Sequence, residues 1–512
     1  MEKKYMDIEY KHGNHGNHSK YIISLLLSFL ILLLPGCNDF LDEVPDNRVA
    51  LDNLEKAAQL LTNAYSDGSY AFTDWMTDNV AYTRGVSLRT NHLESYSWED
   101  ESTDATELDT PTFFWNTTYN AIAHANEVLA ILDALQAVSE QDQARKRAVE
   151  SEALLTRAYG HFMLVNLFAR HYNPQRAGTA LGVPYVDTPE TVFIKTYTRN
   201  TVQEVYDRVE QDMLRGIELA DDSFFANSGK YHFNRNAALA FASRFYLFKE
   251  DYQKCIEYSN ELLGKDPSVF VRDLTSDEFL NASSSIDGYS QLYSSPDLPG
   301  NLLLMRKVSL VQRTDFAHGP TSTLYRDLFA LNPFAGTVDE RENPALVKGE
   351  NGVFPVRYQS LFQRSSLSSN VGTPYHIHMA FRGEEVLLNR MESLIELNRL
   401  DEAVDDLQIL VDHRYSGQPV TVSIQLLREA FGVAGDPFVS DKFVMRTYTQ
   451  IERRKEFIVQ GLRWFDIKRF ELEVDHNLAD GSIITLEDGD LRKALQIPAS
   501  AIEVGGLQPN PR

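Results

Sequence analysis

"AALAFASRFYLFKEDYQKCIEYSNELLGKDP" (residues 237–267) and "EVLLNRMESLIELNRLDEAVDDLQILVDHR" (residues 385–414) carry one pattern, 148 positions apart. Leu239 corresponds to Leu387, Leu247 to Ile395, Tyr252 to Leu400, Ile256 to Val404 and Leu262 to Leu410. Each copy spaces its apolar residues as a helix, breaks at a short polar turn and resumes as a second helix. One such hairpin cannot bury its apolar stripe alone, so hairpins must stack on hairpins. Cys255 falls opposite Ala403, the small position where the second helix lies close to the first. This predicts a buried structural thiol; a catalytic nucleophile is the competing reading.

The spacing and the hairpin length of about 34 residues are those of a tetratricopeptide-type repeat. The same period runs through the first half of the chain. In "LDNLEKAAQLLTNAY" (51–65), Leu54, Ala57, Ala58, Leu61 and Tyr65 share a face. "WNTTYNAIAHANEVLAILDAL" (115–135), "AVESEALLTRAYGHFMLVNLFAR" (148–170) and "TVQEVYDRVEQDMLRGIELA" (201–220) predict three further helices, the last with Asn200 as N-cap. Between the two repeats the signal fades. Residues 265–375 include "NASSSIDGYSQLYSSPDLPG" and "SSLSSNVGTPY", dense in Ser, Gly and Pro, and read as irregular loop with short strands or helices. Loops of that length in compact domains carry function or are disordered. "HNLADGSIITLEDGD" (476–490) predicts a β-hairpin with Asp-Gly turns. The expected fold is mostly α, a tetratricopeptide-like superhelix of helical hairpins with a loop-rich insert and short β-hairpins. It forms a single domain over 51–512, with the helical scaffold at about 51–264 and 376–470 and the loop-rich ligand region at about 265–375.

The N-terminus is organised differently. Lys3, Lys4, Lys11 and Lys20 precede the uncharged run "YIISLLLSFLILLL" (21–34), which ends in Pro35-Gly36-Cys37. The run has the length of a signal-peptide core and falls short of the ~20 residues of a spanning helix. Leu34-Pro35-Gly36-Cys37 has the form of a lipobox, in which the thiol takes a diacylglyceryl group and the leader is cut just before it. This predicts a lipoprotein signal peptide over 1–36, a lipid anchor at Cys37 and a polar tether over 37–50. Cys255, the other cysteine of two, cannot pair with an acylated one, so the mature chain holds itself by its core alone. His12, His15 and His18 have metal-like spacing but lie in the predicted leader.

With 73 acidic against 49 basic residues the formal net charge is −24, which argues against nucleic-acid binding. The chain is rich in aromatics, 24 Tyr and 28 Phe.

One further stretch, "RRKEFIVQGLRWFDIKRF" (453–470), is identified with a family. It resembles the R-R-x-E-L-x-x-E-G-x-R-W-x-D-L-x-R pattern of the SusD/RagB outer-membrane nutrient-binding lipoproteins. Arg453, Arg454, Glu456, Gly461, Arg463, Trp464, Asp466 and Arg469 match it, and Gln460 replaces its second glutamate. "CNDFLDEVPDNR" (37–48), "WNTTYNAIAHAN" (115–126) and "LQIPASAIEVGGLQPNPR" (495–512) resemble other parts of the family. The resemblance implies a non-catalytic, palmitate-bearing surface lipoprotein of a polysaccharide-utilisation system. It would sit on the outer membrane facing outward, capture an oligosaccharide and deliver it to a SusC-like TonB-dependent transporter, with no cofactor or metal. Asp39, Asp42 and Glu43 after Cys37 resemble the export mark of Bacteroidetes surface lipoproteins. Peptide capture by the same type of system, or a non-catalytic scaffold, are the alternatives. Read on its own residues, 453–470 is a packed corner: Arg453 pairs with Glu456, Gly461 ends the helix, and Arg463 pairs with Asp466.

Sugars present flat C–H faces and rings of hydroxyls, so aromatic platforms beside polar side chains are the residues to look for. "SLRTNHLESYSWED" (87–100) offers Arg89, Asn91, Tyr96, Trp98 and Asp100, and the insert offers Tyr289, Tyr293 and Tyr325; a core or rim position is the competing reading for Trp98, and Trp75 and Trp115 read as core. A glycosidase would need two opposed carboxylates, and nothing in the sequence singles out a pair.

Overall fold

The computed structural model describes residues 51–512 apart from 84–88, 103–106, 193–194, 226–227, 312–316, 343, 345 and 349–350. The predicted leader, Cys37 and the tether lie outside the described residues. Asp52–Arg512 form one compact unit.

In chain order the first half holds α1 (Leu54–Leu61), β1 (Ala81–Tyr82), α2 (Thr90–Tyr96), α3 (Pro111–Ile131), α4 (Glu140–Phe168), α5 (Val202–Leu219), α6 (Arg235–Phe248) and α7 (Tyr252–Leu263). Their starts are chemically marked. Thr110 caps α3 ahead of Pro111, and Ser139 with Asp142 forms a capping box on α4. Thr201 with Glu204 does the same on α5. The expected cap, Asn200, lies one residue early: its side-chain oxygen accepts from the Tyr185 N–H at 2.9 Å instead.

The insert is an assembly of short elements: α8 (Asp277–Ala282), α9 (Ile286–Tyr293), β2 (Asn301–Val308), β3 (His318–Gly319), α10 (Ser322–Phe329), β4 (Thr337–Asp339), β5 (Leu346–Lys348), β6 (Val353–Pro355), β7 (Ser360–Arg364) and β8 (Gly372–Arg382). β2, β8 and β7 form an antiparallel sheet with β8 central. The second half returns to helices: α11 (Gly383–Glu396), α12 (Leu400–Asp412), β9 (Tyr415–Gly417), α13 (Ile424–Ala430), α14 (Asp441–Glu456) and α15 (Arg463–Arg469). The hairpin of β10 (Val474–Asn477) and β11 (Ile483–Leu486) turns at Asp480-Gly481, and α16 (Ala499–Glu503) lies near the end.

α3 packs on α4, α4 on α5, α6 on α7 and α11 on α12, the stacked helical hairpins of a tetratricopeptide-like scaffold. The two matching hairpins also pack on each other, α11 lying against both α6 and α7. Cys255 and Ala403 are fully buried, and the Cys255 thiol donates to the Asn389 carbonyl at 3.6 Å. Burial pushes that thiol up to about 11, which makes it a packing residue and a poor nucleophile. Trp75 and Trp115 are core, as expected.

The 453–470 stretch is a packed corner, but its pairs differ from those expected. α14 closes at Phe457, whose N–H reaches the Arg453 carbonyl at 3.0 Å. Gly461 lies beyond the helix in a left-handed turn with φ +75°. Its N–H donates to Asp74 at 2.8 Å and its carbonyl accepts from Thr73 at 2.9 Å. Glu456 turns to Arg414, Arg453 to Asn389 and Asp466, and Arg463 to Asp78. The reason is burial. A surface helix satisfies its charges three or four residues away, whereas these side chains face other elements and must be matched there. Lys468 is buried too, and its ammonium caps the end of α4 by donating to the carbonyls of Ala169, at 2.8 Å, and Asn166.

A Cβ at Gly461 would meet the Tyr70 ring at 2.7 Å and the Tyr70 carbonyl at 2.8 Å. Left-handed backbone costs a non-glycine residue about 1–2 kcal/mol before any clash. Gly461→Ala is therefore expected to lower the unfolding free energy by about 2–4 kcal/mol, read from urea midpoints at unchanged slope.

Candidate functional site

The expected aromatic platforms are interior. Trp98 is 3% exposed and Tyr96 fully buried. Their rings belong to a column in which His318 stacks on Tyr96 at 3.9 Å, Tyr96 on His476 at 4.1 Å and His476 on Trp98 at 4.3 Å. The Trp98 indole N–H donates to the Met76 carbonyl at 3.0 Å and the Tyr96 hydroxyl to the Asn477 carbonyl at 2.9 Å. This column fastens α2 to the β10–β11 hairpin and leaves little ring face for a ligand. Asn91 is buried beside it; Arg89 pairs with Glu107 at 3.3 Å and Asp100 with Arg512 at 2.6 Å. Tyr289 and Tyr293 are each 2% exposed. The Arg272 guanidinium lies 4.0 Å above the Tyr293 ring. Tyr325 is buried and donates to the Arg341 carbonyl at 2.8 Å. A stretch of mixed polar and aromatic residues such as 87–100 reads as exposed loop, but here its two large rings are buried and each donates to a backbone carbonyl.

An accessible ring stands elsewhere. Tyr231, 41% exposed, is one of few exposed aromatic rings among the described residues, with Phe438 and Phe443. It follows α5 in a 3₁₀ turn, Gly229–Tyr231. It lines a cavity of about 460 Å³ with Asn63, Tyr65, Asp67, Thr117, Asn120, His124, His232 and Arg306. It also lines an adjoining opening of about 390 Å³ with Phe225, Lys230, Asn234, Asn236, Pro296 and Asp297. Asn120 links the first cavity to a third space of about 350 Å³, walled by Trp115, Asn116, Tyr119, Glu190 and Tyr197.

α3 is the shared wall. Asn116, Thr117, Asn120, Ala123 and His124 recur at helical spacing on its outward face, while Phe114, Ala121, Ile122 and Ala125 face the core. This polar stripe in "WNTTYNAIAHAN" is the signal in the sequence that marks the groove. The amides of Asn63 and Asn120 make no hydrogen bond to any described residue, so their donors and acceptors are open to a ligand.

The charged walls are mostly committed. One Arg306 nitrogen lies 2.6 and 2.7 Å from the two Asp67 oxygens, and another donates to Gln363 at 3.2 Å. His232 hydrogen-bonds Glu152 at 2.7 Å, and the Tyr65 hydroxyl donates to the same carboxylate at 2.5 Å. Beneath the floor Lys307 donates to the Ser66 carbonyl, and burial pushes its ammonium down to about 7. An aromatic ring, open amides and hydroxyls suit a polyhydroxylated ligand. Among the described residues no group of three His, Cys, Asp or Glu side chains is placed to hold a metal ion.

Residues 39–247 match the family described as starch-binding, associating with the outer membrane, and residues 349–497 match the SusD family. A SusD superfamily protein from Bacteroides thetaiotaomicron is similar in structure, with TM-score 0.64, 20% identity, and coverage of 90% of this chain and 100% of that one. For a putative sugar binding protein from Bacteroides vulgatus the TM-score is 0.65 and the identity 19%, over 91% of this chain and 99% of the other. A laminarin binding SusD-like protein aligns with TM-score 0.60 and 18% identity, over 90% of this chain and 99% of its own. No curated protein matches the chain.

Proposed function

The chain belongs to the SusD family, and from that premise we propose that it is a cell-surface lipoprotein that captures an oligosaccharide without altering it and delivers it to a SusC-like TonB-dependent transporter. Residues 1–36 are the leader, Cys37 carries the lipid and 37–50 form the tether. Outer-membrane placement facing outward follows from the same reading.

The groove along α3 is the ligand site in this proposal. The observation that carries it is the exposed Tyr231 ring beside the open amides of Asn63 and Asn120. A sugar would lay a C–H face on the ring and pass hydroxyl hydrogen bonds to the amides. Aromatic contacts and neutral hydrogen bonds are each worth roughly 1 kcal/mol. Tyr231→Ala and Asn120→Ala are each expected to weaken binding about tenfold, ~1.4 kcal/mol. Titration calorimetry against a panel of neutral oligosaccharides measures this. Product analysis of the same mixtures is expected to show intact ligand, and a panel of peptides no binding.

A further inference from the structure

We infer that the groove selects uncharged oligosaccharides, and that Asp67 is the residue that enforces this by occupying the guanidinium of Arg306. The inference rests on the reading of the groove as the ligand site and adds the chemical class of ligand.

Arg306 is the side chain in the groove best suited to a carboxylate or sulfate, because a guanidinium presents donors in a planar fork. It reaches the cavity from β2, about one-third exposed. Its fork is already engaged. One nitrogen contacts both Asp67 oxygens at 2.6 and 2.7 Å, another donates to Gln363 at 3.2 Å, and the group sits 5.0 Å over the Tyr375 ring. Asp67 is held in place, since its carbonyl accepts the Val308 N–H at 2.8 Å. An anionic sugar arriving at Arg306 would have to displace this carboxylate or lie beside it, and like charges in contact oppose binding.

Lys230 and His232, at the rim of the groove, also have partners, backbone carbonyls for the one and a carboxylate for the other. Lys230 in the adjoining opening donates to the Asn301 carbonyl at 2.6 Å and to the Pro299 carbonyl at 3.3 Å, and burial lowers its affinity for a proton. His232 is bonded to Glu152 at 2.7 Å, and burial pulls His124 below its ordinary value, toward the neutral imidazole. Asp222 and Asp297 add acid to the Tyr231 opening and Glu190 to the far end. The formal net charge of −24 extends this repulsion beyond contact range. Amides and the Tyr231 ring with its hydroxyl are what the groove leaves open, and those are groups for neutral sugars.

The test compares one oligosaccharide in two forms. The neutral hexasaccharide that binds tightest from a gluco-, manno- and galacto- set is measured beside the same molecule with its primary hydroxyls oxidised to carboxylates. The wild-type chain is expected to bind the neutral form at least tenfold more tightly, and the gap is expected to narrow as salt screens the repulsion. Asp67→Asn is expected to shift the ratio of the two dissociation constants at least tenfold toward the carboxylated form. Adding Arg306→Gln to that variant is expected to cancel the shift. Equal wild-type binding of the two forms, or an Asp67→Asn ratio that stays at the wild-type value, overturns the inference. The wild-type comparison decides even without a folded variant. Failure of the site reading looks different: Tyr231→Ala would then leave neutral binding unchanged.

Discussion

Glu456→Gln is expected to lower the unfolding free energy by about 3–5 kcal/mol, the cost of breaking a buried ion pair from one side. Glu456 accepts from two Arg414 nitrogens at 2.8 and 2.9 Å, and Arg341 stands at 3.5 Å. These side chains are at most 3% exposed. They belong to a network that rivets the insert to the scaffold. Arg272 and Arg341 come from the insert, Glu384 and Glu452 from α11 and α14, and the Arg272–Glu384 and Arg341–Glu452 contacts are both 2.7 Å. Glutamine is close in size to glutamate but leaves two buried guanidiniums short of a charge. For a domain of ordinary stability, 5–15 kcal/mol in all, the expected loss is a large fraction. The exposed Arg399–Glu402 pair, 37% and 54% accessible, is the control, and Glu402→Gln is expected to cost less than about 1 kcal/mol. Urea titrations of the three proteins separate the two cases.

The same substitution carries a pH signature. Burial alone would raise the Glu456 carboxyl, but Arg414 and then Arg341 outweigh it and hold the group well below the usual range. A carboxylate depressed on folding stabilises fully above its unfolded value of about 4.3, and the contribution is lost as pH falls toward the folded value. The gap between wild type and Glu456→Gln is therefore expected to be constant above pH ~5 and to shrink below ~4.

Cys37→Ala is expected to move the protein from the membrane fraction to the soluble fraction. Among the described residues no helix is long and apolar enough to cross a membrane. The apolar run at 21–34 is itself short of the ~20 residues a span requires. One acyl chain gives only marginal binding, about 10⁴ M⁻¹, and two or more give stable anchoring, so the change is close to all-or-none. Mass spectrometry of the mature N-terminal peptide is expected to show the diacylglyceryl and N-acyl groups on Cys37. Unchanged membrane retention of the variant, or an unmodified cysteine, would remove the anchor from the account.

The scaffold was legible because helical period is a property of the local chain. The 148-position match located both hairpins, and the alignment of Cys255 with Ala403 marked the thiol as buried between the helices of its own hairpin; it is buried, and it also reaches Asn389 of the other hairpin. The 453–470 stretch was legible as a packed corner while its partners were not. Arg463 meets Asp78 and Gly461 meets Asp74, nearly four hundred positions away, and no local rule reaches that far. Aromatic platforms were misplaced for a related reason. Trp98 and Tyr96 sit among polar residues, which signals exposure, but His318 and His476 arrive from distant segments to cover their faces. Tyr231 carries no such signal, since its exposure depends on how the turn after α5 meets the loop at Pro296 and Asp297. The α3 stripe of Asn116, Asn120 and His124 was readable in principle, as the polar side of a predicted helix.

A crystal structure of the mature chain with its tightest-binding neutral hexasaccharide tests the central claim most directly. The account predicts an intact sugar in the α3 groove, one pyranose ring within van der Waals contact of Tyr231 and hydroxyls at hydrogen-bond distance from Asn63 and Asn120. An oligosaccharide bound elsewhere with the groove empty, or a cleaved product, would contradict it.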